Sequence, residues 1–146
     1  GRACRREGLR RPKILAVTVL TSLGKGDLRR VGVTGAVEGQ VVRLARLARK
    51  AGMDGVVASP LEIARIRREC GRGFLIVTPG VRPPTAAHDD QKRVTTPGDA
   101  MRAGADYLVV GRPIRDAADP LAVVREVVAD MARGFLAGRT RPGPRA

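Results

Sequence analysis

The sequence predicts an α/β fold in which strands and helices alternate along one chain of 146 residues. The first observation is a set of short, apolar, β-branched runs, each followed by a stretch with helical spacing. The second is a weak internal repeat: "AGMDGVV" (51–57) and "AGADYLV" (103–109) both place a helix end, a glycine and an aspartate before a strand. Apolar strands that alternate with helices are typical of a parallel sheet covered by helices.

Four strands are predicted from apolar runs bounded by turn residues: "KILAVTVL" (13–20), "MDGVVAS" (53–59), "FLIVT" (74–78) and "DYLVV" (106–110). After the first strand, the polar segment "TSLGKGD" (21–27) predicts a turn. "VEGQVVRLARLARKA" (37–51) then has apolar side chains at three- and four-residue spacing and arginines on the other face, which predicts an amphipathic helix.

The remaining helices are predicted from their first turns. "SPLE" (59–62) offers a hydroxyl N-cap, a proline at the first helical position and a glutamate at the third, which is a capping box for a helix to about Cys70. "TPGD" (96–99) repeats the pattern and opens a short helix that ends at Gly104. The last helix begins at Asp119-Pro120, and its apolar side chains form one stripe: Leu121, Val124, Val128 and Met131.

Composition excludes several classes of protein. Hydrophobic residues make up 43% of the chain, too many for a disordered protein, and the apolar runs are far too short for a membrane span. The opening "GRACRREGLRRPK" is basic and has no apolar region of the kind found in secretory signals. Cys4 and Cys70 form neither a disulfide framework nor a zinc motif, which favours a cytoplasmic location.

The formal charge of +14 by itself indicates a nucleic-acid partner. However, aromatic residues make up only 2% of the chain, which leaves few rings on which bases can stack. The arginines also concentrate at the two ends and on helix faces. We therefore interpret them as solvated surface and predict neither a specific nucleic-acid partner nor a membrane. Steep salt dependence of DNA binding would support the opposite interpretation.

The end of the fourth strand predicts an anion site, since ligands of open α/β sheets and barrels bind at the carboxyl ends of strands. Gly111 allows the backbone to come close to a ligand, Arg112 adds a charge-assisted contact, and Pro113 suits the first turn of a short helix. No G-x-G-x-x-G follows the first strand, which disfavours a dinucleotide fold. A phosphate is the predicted ligand; a plain surface turn is the alternative.

Several longer segments resemble, in the same order, the carboxyl-terminal part of the bacterial orotidine 5'-phosphate decarboxylase family. They are "LAVTVLTS", "GMDGVVAS", "LIVTPGVRP", "DDQKRVTTPGDAMRAGADYLVVGRPI" and "ADPLAVVREV". The resemblance implies an α/β, partial (β/α)8 TIM barrel whose strand–helix units correspond to the fifth to eighth of the full barrel. It implies a half-barrel domain over 13–134, a remnant of the preceding helix and loop over 1–12, and a disordered basic tail over 135–146.

The resemblance also implies roles for five residues. Gly111 and Arg112 would hold the phosphate, and Arg82 would contact the substrate from the loop after the third strand of this chain. Gln91 would lie over both phosphate and base, and Thr21 would contact the pyrimidine. No cofactor and no metal is implied.

The loop over 79–94, rich in proline and polar residues, is expected to act as a lid over the phosphate. Its histidine, His88, matches no role in the family and is interpreted as an exposed loop residue.

The family converts orotidine 5'-phosphate to UMP and CO2 in pyrimidine biosynthesis. A lysine protonates carbon 6 as CO2 leaves, and the family's D-x-K-x-x-D element, on the third strand of the barrel, is absent from this chain. We therefore assign no catalytic residue here and expect the chain alone to be inactive. The intact enzyme is expected to be a homodimer, whereas a half barrel leaves open sheet edges that favour association.

Two alternatives stay open. One is another phosphate-binding barrel enzyme, such as a sugar-phosphate epimerase or decarboxylase, which would keep the Gly-Arg site without needing the "TPGVRP" and "DDQKR" segments. The other is a non-catalytic half barrel that binds a nucleotide.

Overall fold

Four short strands, all parallel, form one sheet in the order β1-β2-β3-β4. The structure is a computed structural model that describes residues 2–83 and 95–139. The strands are β1 (Leu15–Val17), β2 (Gly55–Val57), β3 (Leu75–Pro79) and β4 (Tyr107–Val109). The helices are α1 (Arg2–Arg6), α2 (Lys25–Arg30), α3 (Val37–Lys50), α4 (Ile63–Cys70), α5 (Pro97–Ala103), α6 (Arg112–Arg115) and α7 (Pro120–Arg139), with a 3₁₀ turn (Pro60–Glu62) directly before α4. This alternation confirms the predicted α/β class.

The strands are aligned so that equivalent side chains form rows across the sheet. One row contains Val17, Val57, Val77 and Tyr107, which pair in register from β1 to β4. Because side chains alternate along a strand, the adjacent row of Ala16, Val56 and Ile76 points to the opposite face. We call the face with Val17 and Tyr107 the inner face, and the face with Val56 and Ile76 the outer face.

The hydrophobic core lies between the outer face and the helices. Val56 and Ile76 are fully buried there, while Ala16 packs against the same cluster from the edge of the sheet. The helices contribute their apolar sides to this core: Val41, Ala45 and Ala48 from α3, Ile63, Ile66 and Cys70 from α4, and Ala100 from α5. The fold is therefore built from one helix layer on one side of the sheet.

Two aspartates join neighbouring strands at their amino ends. Asp54 precedes β2; its N–H donates to the carbonyl of Ile14 (2.9 Å), and its carboxylate accepts the N–H of Ile14 (2.7 Å). Asp106 precedes β4 and exchanges the same two hydrogen bonds with Ile76 (3.0 and 2.8 Å). The repeated sequences "AGMDGVV" and "AGADYLV" thus form the same pair of hydrogen bonds to the neighbouring chain segment.

Each of these carboxylates also forms an ion pair with an arginine. Arg11 pairs with Asp54 (2.6 Å), and the Ile14 N–H together with this guanidinium lowers the pKa of Asp54 below its ordinary value. Arg67 pairs with Asp106 (2.7 Å) and also donates to the carbonyls of Gly104 (2.6 Å) and Phe74 (2.7 Å). Arg67 therefore connects α4, the start of β3 and the turn between α5 and β4.

The predicted helix starts are largely observed. The Thr96 hydroxyl accepts the N–H of Asp99 (3.1 Å), and α5 ends at Gly104 with a left-handed φ of 110°. The Ser59 hydroxyl accepts the N–H of Leu61 (3.3 Å), although the first turn there is 3₁₀ and the α-helix begins only at Ile63.

Other parts of the sequence interpretation differ from the structure. The segment predicted as a turn leads into α2, whose Leu28 is buried in the core. The predicted boundary at residue 134 lies inside α7, which continues to Arg139. The apolar stripe of α7 exists, but Leu121, Val124 and Val128 are exposed, whereas Val127 and Asp130 are buried. Amphipathicity identifies an apolar side of a helix without identifying what covers it.

The last helix instead packs on α5 through small and acidic residues. Gly134 lies so close to Gly98 that a Cβ at position 134 would overlap the Gly98 carbonyl. One turn earlier, Asp130 accepts the N–H of Gly98 (2.6 Å) in the first turn of α5. A negative charge is favourable there, because the first N–H groups of a helix have no partner within the helix.

Gly55 provides a test of the close contact between β2 and β3. A Cβ at position 55 would overlap the carbonyl and Cβ of Leu75 on the neighbouring strand. We expect Gly55→Ala to lower the free energy of unfolding by at least about 2 kcal/mol, because the strands must separate or distort. Denaturant unfolding followed by circular dichroism measures this change.

The matched control is Gly73→Ala, where a Cβ would meet no atom within 4 Å. If both substitutions cost the same free energy, the proposed contact is not what requires glycine at position 55.

Candidate functional site

The carboxyl ends of all four strands lie along one edge of the sheet, because the strands are parallel. β3 and β4 are neighbours there, with Thr78 opposite Leu108 and Pro79 opposite Val109. The segments that follow these two strands therefore emerge side by side. They contain Arg82 and the Gly111-Arg112 pair, so the structure places these three predicted site residues at adjacent strand ends.

Buried neighbours hold the segment after β3. Gly80 adopts a left-handed φ of 78°, which turns the chain away from the strand. Val81 and Pro83 are both buried, and Arg82 between them is half-buried. The Arg82 N–H also donates to the carbonyl of Thr95 (3.3 Å), which precedes α5. The backbone that carries the Arg82 guanidinium is thus fixed on both sides.

The segment after β4 turns directly into the short helix α6. The Gly111 carbonyl accepts the N–H groups of both Ile114 and Arg115 (3.0 Å each), so Gly111 caps this helix. A Cβ at Gly111 would meet no protein atom within 4 Å, and the residue is exposed. The backbone at Gly111 is therefore open to solvent on the side where a Cβ would lie.

The two arginines of α6 have different electrostatic environments. Arg115 binds the carboxylate of Asp116 through two nitrogens (2.6 and 2.9 Å). Arg112 is exposed and, in the part of the chain that the structure describes, forms no ion pair. Its charge is therefore available to an anion from solvent, and Arg82 belongs to the segment that follows the neighbouring strand.

Thr21 occupies the other end of the same edge. It is exposed and follows β1, which is separated from β4 by three strand spacings, about 14 Å. Thr18, which directly follows β1, has its hydroxyl in a hydrogen bond already, since it donates to the carbonyl of Val57 (2.9 Å). Thr21 and Arg112 do not meet, so one ligand contacts both only if it extends along the edge.

Two residues discussed from the sequence, Gln91 and His88, lie outside the described residues. Most of the segment interpreted as a lid lies there as well.

Glu62 is a buried acidic group close to the carboxyl end of β2. Sequence reasoning treated it only as part of a capping box. Its Oε2 atom is buried and has no hydrogen-bond partner within the described part of the chain. Burial raises the pKa of Glu62, the Ser59 hydroxyl opposes this shift, and the Glu38 carboxylate adds to it. A capping motif is identical in sequence whether its glutamate is solvated or buried, so the pattern could not reveal this.

Two surface hollows lie away from the carboxyl edge. One, of about 400 Å³, lies along α3 and is lined partly by Val33, Leu44 and Leu47. The other, of about 510 Å³, lies at the amino ends of the strands beside Lys13 and Arg72. Neither hollow is lined by Arg82, Gly111 or Arg112.

Within residues 2–83 and 95–139, no cluster of three or more His, Cys, Asp or Glu side chains is arranged to hold a metal ion. No helix in the same ranges has the length and apolar character needed to cross a membrane.

Comparison with protein families gives a match over most of the chain. The family model described as orotidine 5'-phosphate decarboxylase / HUMPS family matches residues 2–127. The orotidine 5'-phosphate decarboxylase of Trichlorobacter lovleyi is 60% identical over 124 residues, which are 85% of this chain and 52% of that protein. The enzyme of the same name from Geobacter sulfurreducens is 59% identical over 128 residues, 88% of this chain and 54% of that protein.

Solved structures give the same relationship. Orotidine 5'-phosphate decarboxylase from Lactobacillus acidophilus superimposes with a TM-score of 0.71 at 38% identity, over 85% of this chain and 51% of that one. The Pyrococcus horikoshii enzyme gives 0.60 at 25% identity, over 82% and 51%. The chain spans about half the length of the relatives it matches, which confirms the predicted fold, part of a (β/α)8 barrel. Its place as the fifth to eighth units stays a prediction.

Glu62 predicts a pH dependence of stability. Since burial raises its pKa in the folded state, the stability that the protonated form provides is fully present below the ordinary pKa of 4.5 and is lost as the pH rises. We expect Glu62→Gln to be more stable than the parent by roughly 1 kcal/mol at pH 7, because a neutral amide costs less to bury than a carboxylate. Denaturant midpoints measured from pH 4 to pH 8 follow this difference.

Below about pH 4.5 the advantage of Glu62→Gln should disappear, since the parent carboxyl is then protonated in both states. The exposed Glu7 provides the control, and Glu7→Gln should leave the midpoints unchanged at every pH. An advantage of Glu62→Gln that did not vary with pH would contradict the role given to burial.

Proposed function

Because the chain belongs to the orotidine 5'-phosphate decarboxylase / HUMPS family, we propose that it carries the phosphate-binding and pyrimidine-binding part of an orotidine 5'-phosphate decarboxylase. The complete enzyme would be a carboxy-lyase that converts orotidine 5'-phosphate to UMP and CO2 in pyrimidine biosynthesis. The observation that carries this proposal is the position of Arg82 and Gly111-Arg112 at neighbouring strand ends in a chain about 60% identical to named decarboxylases. The ligands would be the small molecules orotidine 5'-phosphate and UMP.

The phosphate would bind at the end of β4. The exposed backbone at Gly111 allows its oxygens to approach, and the guanidinium of Arg112, which has no ion pair among the described residues, would supply a charge-assisted contact. Arg82, held between two buried residues on the adjacent segment, provides a second cation close by.

The base would extend from this point along the carboxyl edge toward β1. Thr21 is the hydroxyl at that end and is assigned to the pyrimidine, while Gln91 is assigned to both phosphate and base. An elongated nucleotide fits an edge whose polar groups are spread over about 14 Å.

The proton chemistry would come from residues that this chain does not contain. No D-x-K-x-x-D element occurs in the sequence, so the chain offers no lysine in the family's catalytic position. Phosphate binding would still matter for catalysis in the complete enzyme, because contacts to a remote, unreacting group can stabilise a transition state.

The absence of that element favours a second candidate function for the chain by itself, namely binding of a nucleotide without turnover. We place the complete enzyme in the cytoplasm as a homodimer that needs no cofactor. The two free thiols, Cys4 and Cys70, are compatible with a reducing compartment.

Arg112 gives the direct test of the phosphate assignment. We expect Arg112→Ala to weaken UMP binding about tenfold, because a charge-assisted contact to the phosphate is lost. Isothermal titration of the chain with UMP measures the affinity, and uridine, which lacks the phosphate, should bind equally weakly before and after the substitution.

Arg115→Ala is the matched control, since Arg115 lies on the same short helix but is already paired with Asp116. It should change UMP affinity by less than twofold. The assignment is wrong if Arg112→Ala leaves UMP affinity unchanged, or if the parent chain does not bind UMP at all.

Turnover tests the division between binding and chemistry. We expect purified chain to release no CO2 from orotidine 5'-phosphate above the uncatalysed rate, because the lysine and aspartates of the family are missing. Release of labelled CO2 measures this, with the Geobacter sulfurreducens enzyme as positive control. A rate above background that disappears in Arg112→Ala would show that this chain is itself a catalyst.

A further inference from the structure

A hollow with a basic lining lies at the amino ends of the strands, on the edge of the sheet opposite the nucleotide site proposed above. It has a volume of about 510 Å³, and we call it the amino-edge hollow. Its lining residues come from the segment before β1, from the end of α3 and the turn that follows it, and from the end of α4 and the start of β3. These segments surround the amino end of β2, which has a paired strand on each side. The hollow is therefore formed by three consecutive parts of this chain.

Three basic residues line the amino-edge hollow, one from each of these parts. Lys13 precedes β1, Arg49 lies in the last turn of α3, and Arg72 lies in the turn after α4. All three are exposed, and neither arginine forms an ion pair within residues 2–83 and 95–139. Arg49 donates to the carbonyl of Glu69 (3.4 Å), whereas the Glu69 carboxylate pairs with Arg46. The charges of Arg49 and Arg72 are thus not balanced by a carboxylate of the described chain.

Asp54 is the acidic residue among those that line the hollow. Its carboxylate accepts the N–H of Ile14 (2.7 Å) and pairs with Arg11 (2.6 Å), which is closer to it than Lys13 (3.6 Å). Arg11 already balances the charge of Asp54, and its guanidinium is not part of the lining. The three basic residues therefore leave the hollow with an excess of positive charge.

The turn after α4 adds backbone donors to the same hollow. Its carbonyl groups are held by Arg67, whose guanidinium donates to those of three residues, Gly71 (2.9 Å), Arg72 (3.1 Å) and Phe74 (2.7 Å). The N–H groups of Arg72 and Gly73 have no protein acceptor in the described part of the chain. A Cβ at Gly71 or Gly73 would meet no atom within 4 Å, so the turn is open to solvent. It offers a ligand mainly hydrogen-bond donors.

The position of the hollow at the carboxyl ends of α3 and α4 provides another reason for basic residues, since cations stabilise a helix at that end. The backbone, however, already satisfies much of this need. The carbonyls of residues 47–49 in α3 accept the N–H groups of residues 51–53, and the Arg67 carbonyl in α4 accepts the N–H of Gly71 (3.0 Å). The side chains of Arg49 and Arg72 are therefore not required to cap these helices.

We propose that the amino-edge hollow binds a small molecule with two or more linked phosphates. Such a ligand carries several negative charges along its length, which suits cations that come from three separate segments, and its oxygens can accept the free N–H groups of the turn. The volume is sufficient for several such groups, since one molecule of liquid water occupies about 30 Å³. Pyrophosphate and the diphosphate of a nucleotide share this chemistry.

Titration of the ¹⁵N-labelled chain with pyrophosphate, without divalent cations, tests the proposal. At about 150 mM sodium chloride, exposed charges more than about 8 Å apart are screened, which suppresses general attraction to a chain with a formal charge of +14. We expect the amide signals of Arg72 and Gly73 to shift until saturation. ADP should shift the same signals, and adenosine, which has no phosphate, should not. Tighter binding of ADP than of pyrophosphate would identify a nucleotide as the ligand, whereas equal affinity would show that the phosphates alone are recognised.

Substitutions separate this site from the basic surface as a whole. We expect Arg72→Ala and Arg49→Ala each to weaken pyrophosphate binding about fivefold, because a charge-assisted contact is lost. Arg68→Ala is the matched control, since it removes the same charge from an exposed position of α4 that does not line the hollow. It should change the affinity by less than twofold. Circular dichroism melts verify that all three variants keep the fold.

Equal weakening by Arg72→Ala and Arg68→Ala would overturn the proposal, since it would show general attraction to basic surface. Amide shifts that leave Arg72 and Gly73 unaffected would overturn it as well. Arg72→Ala should not change UMP affinity, and Arg112→Ala should not change the pyrophosphate shifts at the hollow. This inference and the nucleotide proposal can therefore fail separately.

Discussion

The carboxylates of Asp54 and Asp106 set the alignment on which the rest of the sheet depends. Each one accepts the N–H of a residue on the neighbouring chain segment, Ile14 or Ile76, while its own N–H donates to the carbonyl of the same residue. A shift of one residue would break both hydrogen bonds and turn the outer-face side chains away from the core. Because register is continuous along a strand, the alignment fixed at the amino ends also determines which residues are opposite each other at the carboxyl ends. The segments that carry Arg82 and Arg112 leave neighbouring strand ends for this reason.

Arginine has two different uses in this fold. Arg67 is largely surrounded by protein, and its guanidinium donates to four carbonyls and to Asp106, which suits a planar group with five donors. Arg112 lies on the opposite edge, exposed and without an ion pair in the described residues. The two aspartate–arginine pairs that join neighbouring strands lie at the amino ends, whereas Arg112 lies at the carboxyl ends. A ligand can therefore bind at the second edge without competing with the contacts that hold the first together.

The sequence predicted features that depend on residues close together in the chain, such as helix ends. It predicted far fewer of the features that depend on packing between distant residues. The Thr96 cap, the Gly104 helix end and the short helix with Pro113 in its first turn all follow from residues a few positions apart. The short helix α2 was missed because glycines at its start hide a helix that forms mainly by burying Leu28. The sequence pattern also could not reveal that Leu121, Val124 and Val128 of α7 are exposed, or that the Oε2 atom of Glu62 is buried with no hydrogen-bond partner in the described residues, since both depend on packing between distant elements. Gln91 stays untested.

The position of the proposed anion site follows from the architecture of a parallel barrel. In a closed parallel barrel, the site at the carboxyl edge is assembled from loops all around the ring. Within the four strand–helix units of this chain, the segments after β3 and β4 bring Arg82 and Gly111-Arg112 to adjacent strand ends. Anion binding needs only adjacent strand ends, whereas proton transfer to a substrate carbon needs a donor placed against the far side of the ligand. The phosphate contacts proposed for these residues therefore depend on local strand order, whereas chemistry that uses their binding energy depends on the rest of the ring.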